Sequence, residues 1–172
     1  VAMLYSNIEK EFRDALIGIG SETYSCAPTP VQIAARAAYR NYNGAMEYVS
    51  SQVNILKQIG DYCYENLNEV NIRTHAPEGA FYLFSDFSLY KQQLVNMGIT
   101  TSVQLCNVIL MDTGVALLPA SAFGFQKEYM AVRLAYVDFD DCINKKNLNF
   151  EKDFPRVLEG IKLIKSWVSK LL

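Results

Sequence analysis

Arg133 is the side chain in this sequence best placed to do chemistry. It sits in Met130-Ala-Val-Arg-Leu-Ala-Tyr136, with Ala131 and Ala135 two residues away on either side. In an extended segment Met130, Val132, Leu134 and Tyr136 share one face, and Tyr129, Ala131, Arg133 and Ala135 share the other. A guanidinium between two alanines has room around it, and a charge so placed needs a partner. That partner is either a carboxylate of the same domain or a ligand anion, which the planar fork of arginine holds bidentately.

The other reactive residue types form no constellation. His75 stands alone beside the turn Ala76-Pro-Glu-Gly79 and reads as a solvated or hydrogen-bonded ring. Cys26, Cys63, Cys106 and Cys142 are widely separated, and with a single histidine they match no zinc pattern and no disulfide framework. They read as reduced thiols of a cytosolic protein. Asp138, Asp140 and Asp141 crowd together without the glycine and terminal glutamate of a calcium loop, so no metal site is expected. The net charge of -2 argues against nucleic acid as the main partner. No apolar run is long enough to span a membrane, because Asp112-Thr-Gly114 interrupts the longest one. The first residues lack the basic start and cleavage site of a signal peptide.

Three stretches resemble one family, in its order. Gly114-Val-Ala-Leu-Leu-Pro-Ala-Ser-Ala-Phe-Gly124 followed by Val132-Arg-Leu-Ala-Tyr136 is similar to the C-terminal signature of class I/II aminotransferases, fold-type-I enzymes that use pyridoxal phosphate. Ser21-Glu-Thr-Tyr-Ser-Cys-Ala-Pro-Thr-Pro30 and the residues to Ala35 resemble the segment entering the helix that links that family's domains. Pro77-Glu-Gly-Ala-Phe-Tyr-Leu-Phe84 resembles the strand that opens its small domain.

The resemblance implies that Arg133 grips the substrate α-carboxylate and that Ala122 and Phe123, with Gly124, line the entrance. It implies that Tyr24 and Ser25 lie near the cofactor of the neighbouring subunit in a homodimer. The partners implied are an amino acid and a 2-oxo acid, and the location is cytoplasmic. The family's Schiff-base lysine follows a serine or threonine and precedes an arginine for the cofactor phosphate; Lys10, Lys57 and Lys127 lack that context. The expectation is therefore a C-terminal fragment that is inactive by itself, with residues 1–44 as the tail of the large pyridoxal phosphate domain and 45–172 as the small domain. Two departures stand out. Ala120 replaces a frequent glycine, and Ser21 falls about where aspartate-specific members carry an arginine for the second carboxylate. The alternatives are another fold-type-I enzyme (a lyase, decarboxylase or synthase) and a non-catalytic α+β binding or dimerisation module.

The elements that must position these residues follow from periodicity. At 172 residues, 51% hydrophobic and 20% charged, the chain has material for one core or one domain and part of another. Residues 5–17 have helical spacing through Ile8, Phe12, Leu16 and Ile19, with Ser6 and Asn7 as caps and Gly18 and Gly20 as the stop. Ser21 to Thr29 reads as an extended loop, and Pro30 as a first-turn residue of an alanine-rich helix ending at Asn41-Tyr-Asn-Gly44. A second helix carries Met46, Val49, Val53, Leu56, Ile59, Cys63 and Leu67. Strands are expected at 70–74, 80–84, 115–118 and 129–137. Helices are expected at 87–100, on the face Val103, Cys106, Asn107 and Leu110, near Asp138, and over 154–172. A mainly antiparallel, short-stranded sheet covered by helices makes the small unit α+β, within an α/β whole.

Overall fold

The computed structural model describes residues 9–24, 26–138 and 149–171. The chain divides into two compact units, Val1–Ser50 and Ser51–Leu172. The division falls a few residues beyond the Asn43-Gly44 boundary expected from sequence, within one long helix.

The first unit holds α1 (Lys10–Thr23), α2 (Thr29–Arg40) and the start of α3 (Tyr42–Glu69). α1 runs straight through Gly18 and Gly20 and takes in Ser21 to Thr23, so the glycines are not a stop and the loop is shorter than expected. A helix-interior glycine costs only about 1 kcal/mol against alanine, which neighbouring turns outweigh. The expected caps Ser6 and Asn7 lie outside the described residues. Pro30 does occupy the first turn of α2. The helical stripes are real, but this unit does not bury them: Phe12 is 58% exposed and Ile19 61%. Helix resumes at Tyr42 after a single break at Asn41, where Gly44 lies inside α3.

The second unit is built on a four-stranded sheet. Its strands are β1 (Arg73–Thr74), β2 (Tyr82–Asp86), β3 (Leu118–Pro119) and β4 (Ala131–Ala135), in the order β1-β2-β4-β3. Every neighbouring pair is antiparallel. Leu83 pairs with Leu134 and Ser85 with Val132, placing their side chains on a buried face. Met130 and Tyr136, just beyond β4, are buried too, as the alternation requires. Against this face pack Ile59, Cys63 and Leu67 of α3, Leu105 and Ile109 of α5 (Ser102–Thr113), and Ile161, Ile164 and Trp167 of α7 (Pro155–Ser169). The short helices α4 (Lys91–Asn96) and α6 (Phe150–Asp153) complete the layer.

The buried face of α5 is Ser102, Leu105, Cys106 and Ile109, one position away from the expected stripe; Val103 and Leu110 are exposed. A capping box fixes where α5 begins: Gln104 N–H donates to Thr101 Oγ1, and Thr101 N–H donates back to Gln104 Oε1. Gly114, at φ 76°, ends it. Trp167 Nε1 donates to Asp112 Oδ2 at 2.8 Å, joining α7 to the end of α5. At Gly60 the chain comes so close that a Cβ would stand 2.9 Å from Pro77 Cγ and 3.0 Å from Tyr136 Oη. Residues 139–148, which include Asp140, Asp141 and Cys142, lie outside the described residues.

Candidate functional site

Arg133 occupies the middle of β4, with Phe84 of β2 opposite on one side and Leu118 of β3 on the other. The two-residue alternation turns it away from the core, onto the face shared with Tyr82 and Phe84. Its guanidinium carbon lies 4.2 Å from the centre of the Tyr82 ring and 4.8 Å from that of Phe123. Both distances are within cation–π range. These rings hold the side chain but accept no conventional hydrogen bond from it.

Nε of Arg133 is buried and has no hydrogen-bond partner, one of two such side-chain atoms among the described residues with Gln52 Nε2. Among the described residues no carboxylate forms an ion pair with this guanidinium. The acid on the same face, Asp86, is engaged elsewhere: its Oδ1 accepts the Ser88 N–H at 2.8 Å. Burial pushes the Tyr129 hydroxyl up from its ordinary pKa, helped by the charge and hydrogen bond of Asp86. The intradomain carboxylate that sequence left open for Arg133 is therefore not found among the described residues. A guanidinium with no carboxylate partner in its own fold is chemically able to pair with a ligand anion.

Phe123 reaches Arg133 from the 3-10 turn Ala120–Phe123, which Gly124 closes at φ 83°. Ala120 is fully buried at the start of this turn and its φ is not positive, so alanine fits where the family often has glycine. The turn is tied to α5. Ser102 Oγ donates to Ser121 Oγ at 3.2 Å, and Ser102 N–H donates to the Lys127 carbonyl at 2.8 Å. One buried serine thus anchors both ends of the segment that carries Phe123.

Of the residues singled out from sequence, the structure brings Arg133 and Phe123 together and places Ala122 exposed on the same turn. Tyr24 lies at the C-terminal end of α1 in the first unit, 71% exposed. Ser25 is outside the described residues. Tyr82 and Ser102 were not foreseen as parts of the site. Tyr82 had a signal, being two residues from Phe84 on a strand antiparallel to that of Arg133; diagonal cross-strand neighbours are within reach of long side chains. Ser102 had none.

The remaining candidates are occupied or remote. Lys57 pairs with Asp61 at 2.7 Å, and Lys10 and Lys127 are exposed. Lys165 donates to Asn66 Oδ1 and Glu69 Oε2. Asp138 pairs with Arg156 at 2.7 Å. Burial pushes the Cys63 thiol up to about 12 and the Cys106 thiol up to about 11, so neither is nucleophilic near neutrality. His75 is exposed. Among the described residues no group of three His, Cys, Asp or Glu side chains is arranged to hold a metal, and no helix is long and apolar enough to cross a membrane. A groove of about 810 Å³ runs between the end of α5, the exit of β4 and α7, lined by Gly114, Val115, Tyr136 and Gly160 among others. Arg133 does not line it, and the Asp138–Arg156 pair at its edge is already neutralised.

Comparison with known proteins bears on the family and the fold. Residues 1–141 match the family model described as aminotransferase class I and II. An aspartate aminotransferase of Pinus pinaster is 32% identical over 146 residues, covering 83% of this chain and 29% of that protein. A probable aspartate/prephenate aminotransferase of Aquifex aeolicus is 27% identical over 168 residues, covering 97% of this chain and 37% of its own length. The crystal structure of an aspartate aminotransferase from Thermotoga maritima superposes with a TM-score of 0.61 at 26% identity, over 92% of this chain and 33% of that one. The chain spans about a third of the length of the relatives it matches.

Proposed function

The chain belongs to the class I and II aminotransferase family, and on that premise we propose that it supplies the small domain of a pyridoxal phosphate enzyme. That enzyme moves an amino group between an amino acid and a 2-oxo acid. The observation that carries the reading is the Arg133 guanidinium, which has a buried, unpartnered Nε and no carboxylate paired with it among the described residues. In the proposal the missing partner is the substrate α-carboxylate, gripped by two donors of the fork. Holding that group fixes the direction of the Cα–H bond, which is how a binding residue assists proton removal without touching the proton. Tyr82 and Phe123 limit where the guanidinium can swing, and Ala122 lies at the entrance beside them.

The chemistry that pyridoxal phosphate would supply when bound is that of an electron sink. Lys10, Lys57 and Lys127 lack the sequence context of the family's Schiff-base lysine, and Lys57 is paired with Asp61, which supports a reading in which this chain does not supply that lysine. The role of this chain is therefore carboxylate recognition, and by itself it should be inactive. In this reading residues 1–44 are the tail of the large domain, with Tyr24 and Ser25 near the cofactor of the neighbouring subunit in a cytoplasmic homodimer.

The test uses the full-length protein with an amino acid donor and a 2-oxo acid acceptor. Expected is a new keto acid in step with a new amino acid; release of ammonia or carbon dioxide instead would move the reading to a lyase or decarboxylase. The 172-residue chain, given the same mixture with cofactor, should form no keto acid, and turnover by it would overturn the assignment.

A further inference from the structure

Ala122 to Glu128 are exposed without a break, and Phe123 itself is 41% exposed. A run so poor in buried residues is ordinarily mobile. Yet the Phe123 ring rests on the Arg133 guanidinium, and what fixes it lies beneath. Ser102, fully buried at the first position of α5, holds Ser121 twice: its hydroxyl donates to Ser121 Oγ at 3.2 Å and accepts the Ser121 N–H at 3.4 Å. Its own N–H donates to the Lys127 carbonyl, so a donor left over at the helix start is satisfied by the loop. The helix does not need the hydroxyl, because Thr101 and Gln104 already cap it. A polar side chain with no exposed surface and no part in its own helix serves the loop above it.

We infer that Ser102 is a positioning residue of the Arg133 site. By tying residues 121–127 to the start of α5 it seats the Phe123 ring on the guanidinium before any anion arrives, so the fork waits in one orientation. An arriving carboxylate then does not have to order the loop and the arginine together, and ordering of that kind is what weakens binding. Ser102 touches neither Arg133 nor its ligand in this scheme; it acts through Phe123 alone. The inference rests on the carboxylate role proposed above.

The experiment follows the Arg133 Nε–H signal in nitrogen–proton spectra of the 172-residue chain during titration with propionate. Ser102→Ala, which keeps the backbone tie to Lys127 and removes both bonds to Ser121, should weaken propionate by about three- to tenfold. It should also move the ligand-free Arg133 signal towards the position found in Phe123→Leu. In a Phe123→Leu background the same substitution should change the affinity by less than about 1.5-fold, because the ring it positions is gone. Ser121→Ala keeps one of the two bonds and should weaken propionate by about twofold; it decides the matter if Ser102→Ala does not fold. Wild-type affinity in these variants, even with stability lost in urea, would overturn the inference and leave Ser102 a purely structural residue. Equal losses with and without the Phe123 ring would overturn it too. Propionate that leaves the wild-type Arg133 signal unmoved would instead overturn the carboxylate role, and the inference with it.

Discussion

Replacing Arg133 with methionine separates a structural arginine from a receiving one by its effect on folding. Methionine keeps most of the unbranched stem and removes the charge, so packing of the stem changes little. Two ring contacts are lost, at about 0.5–1 kcal/mol each for exposed sites, so about 1–2 kcal/mol in all. A buried donor without a partner also disappears, which returns about 1–3 kcal/mol. The net change therefore lies between a loss of about 1 and a gain of about 2 kcal/mol. Had the guanidinium been half of a buried ion pair, its removal would cost about 3–5 kcal/mol. The assay is urea unfolding followed by Trp167, the only tryptophan, which is 4% exposed in α7 and reports on the second unit. A loss of about 3 kcal/mol or more would refute the claim that this cation has no partner within the fold.

Three further outcomes follow from packing and burial. Gly60→Ala should destabilise the second unit by about 1–3 kcal/mol in the same urea assay, because the added Cβ meets Pro77 Cγ at 2.9 Å and Tyr136 Oη at 3.0 Å. A thiol-specific alkylating agent at neutral pH should label exposed Cys26 in the native chain, and Cys63 and Cys106 only after unfolding, as peptide mapping would show. Burial raises the Cys63 thiol from 9.0 to about 12, so the stability tied to keeping it protonated is complete below pH 9 and is lost as the pH climbs towards 12. Cys63→Ala should flatten that alkaline decline.

The orientation of Arg133 could be read before any coordinates, because strict alternation from Met130 to Tyr136 leaves one choice of face. The stripe of α7 was equally legible: Val157, Ile161, Ile164 and Val168 recur at spacings of four and three, and all are buried. α5 misled for a physical reason. Val103 to Met111 is apolar on most sides, so stripes offset by one position fit the helical period equally well, and only packing on the sheet selects Leu105 and Ile109. The glycines of α1 misled by the opposite route, a local preference overridden by the helix around them. Within the site, Tyr82 required the β2–β4 register. The Ser102–Ser121 contact joins residues 19 apart through the Ser102 hydroxyl, and no periodicity announces it.

The central claim is that Arg133 exists for a carboxylate that the substrate brings. Its most direct test compares full-length wild type with Arg133→Ala on an amino acid and on the amine that lacks only the carboxylate. The amino acid should lose about 2–5 kcal/mol in apparent kcat/KM, while the amine changes little. Equal losses for the two substrates, or no loss for the amino acid, would contradict it.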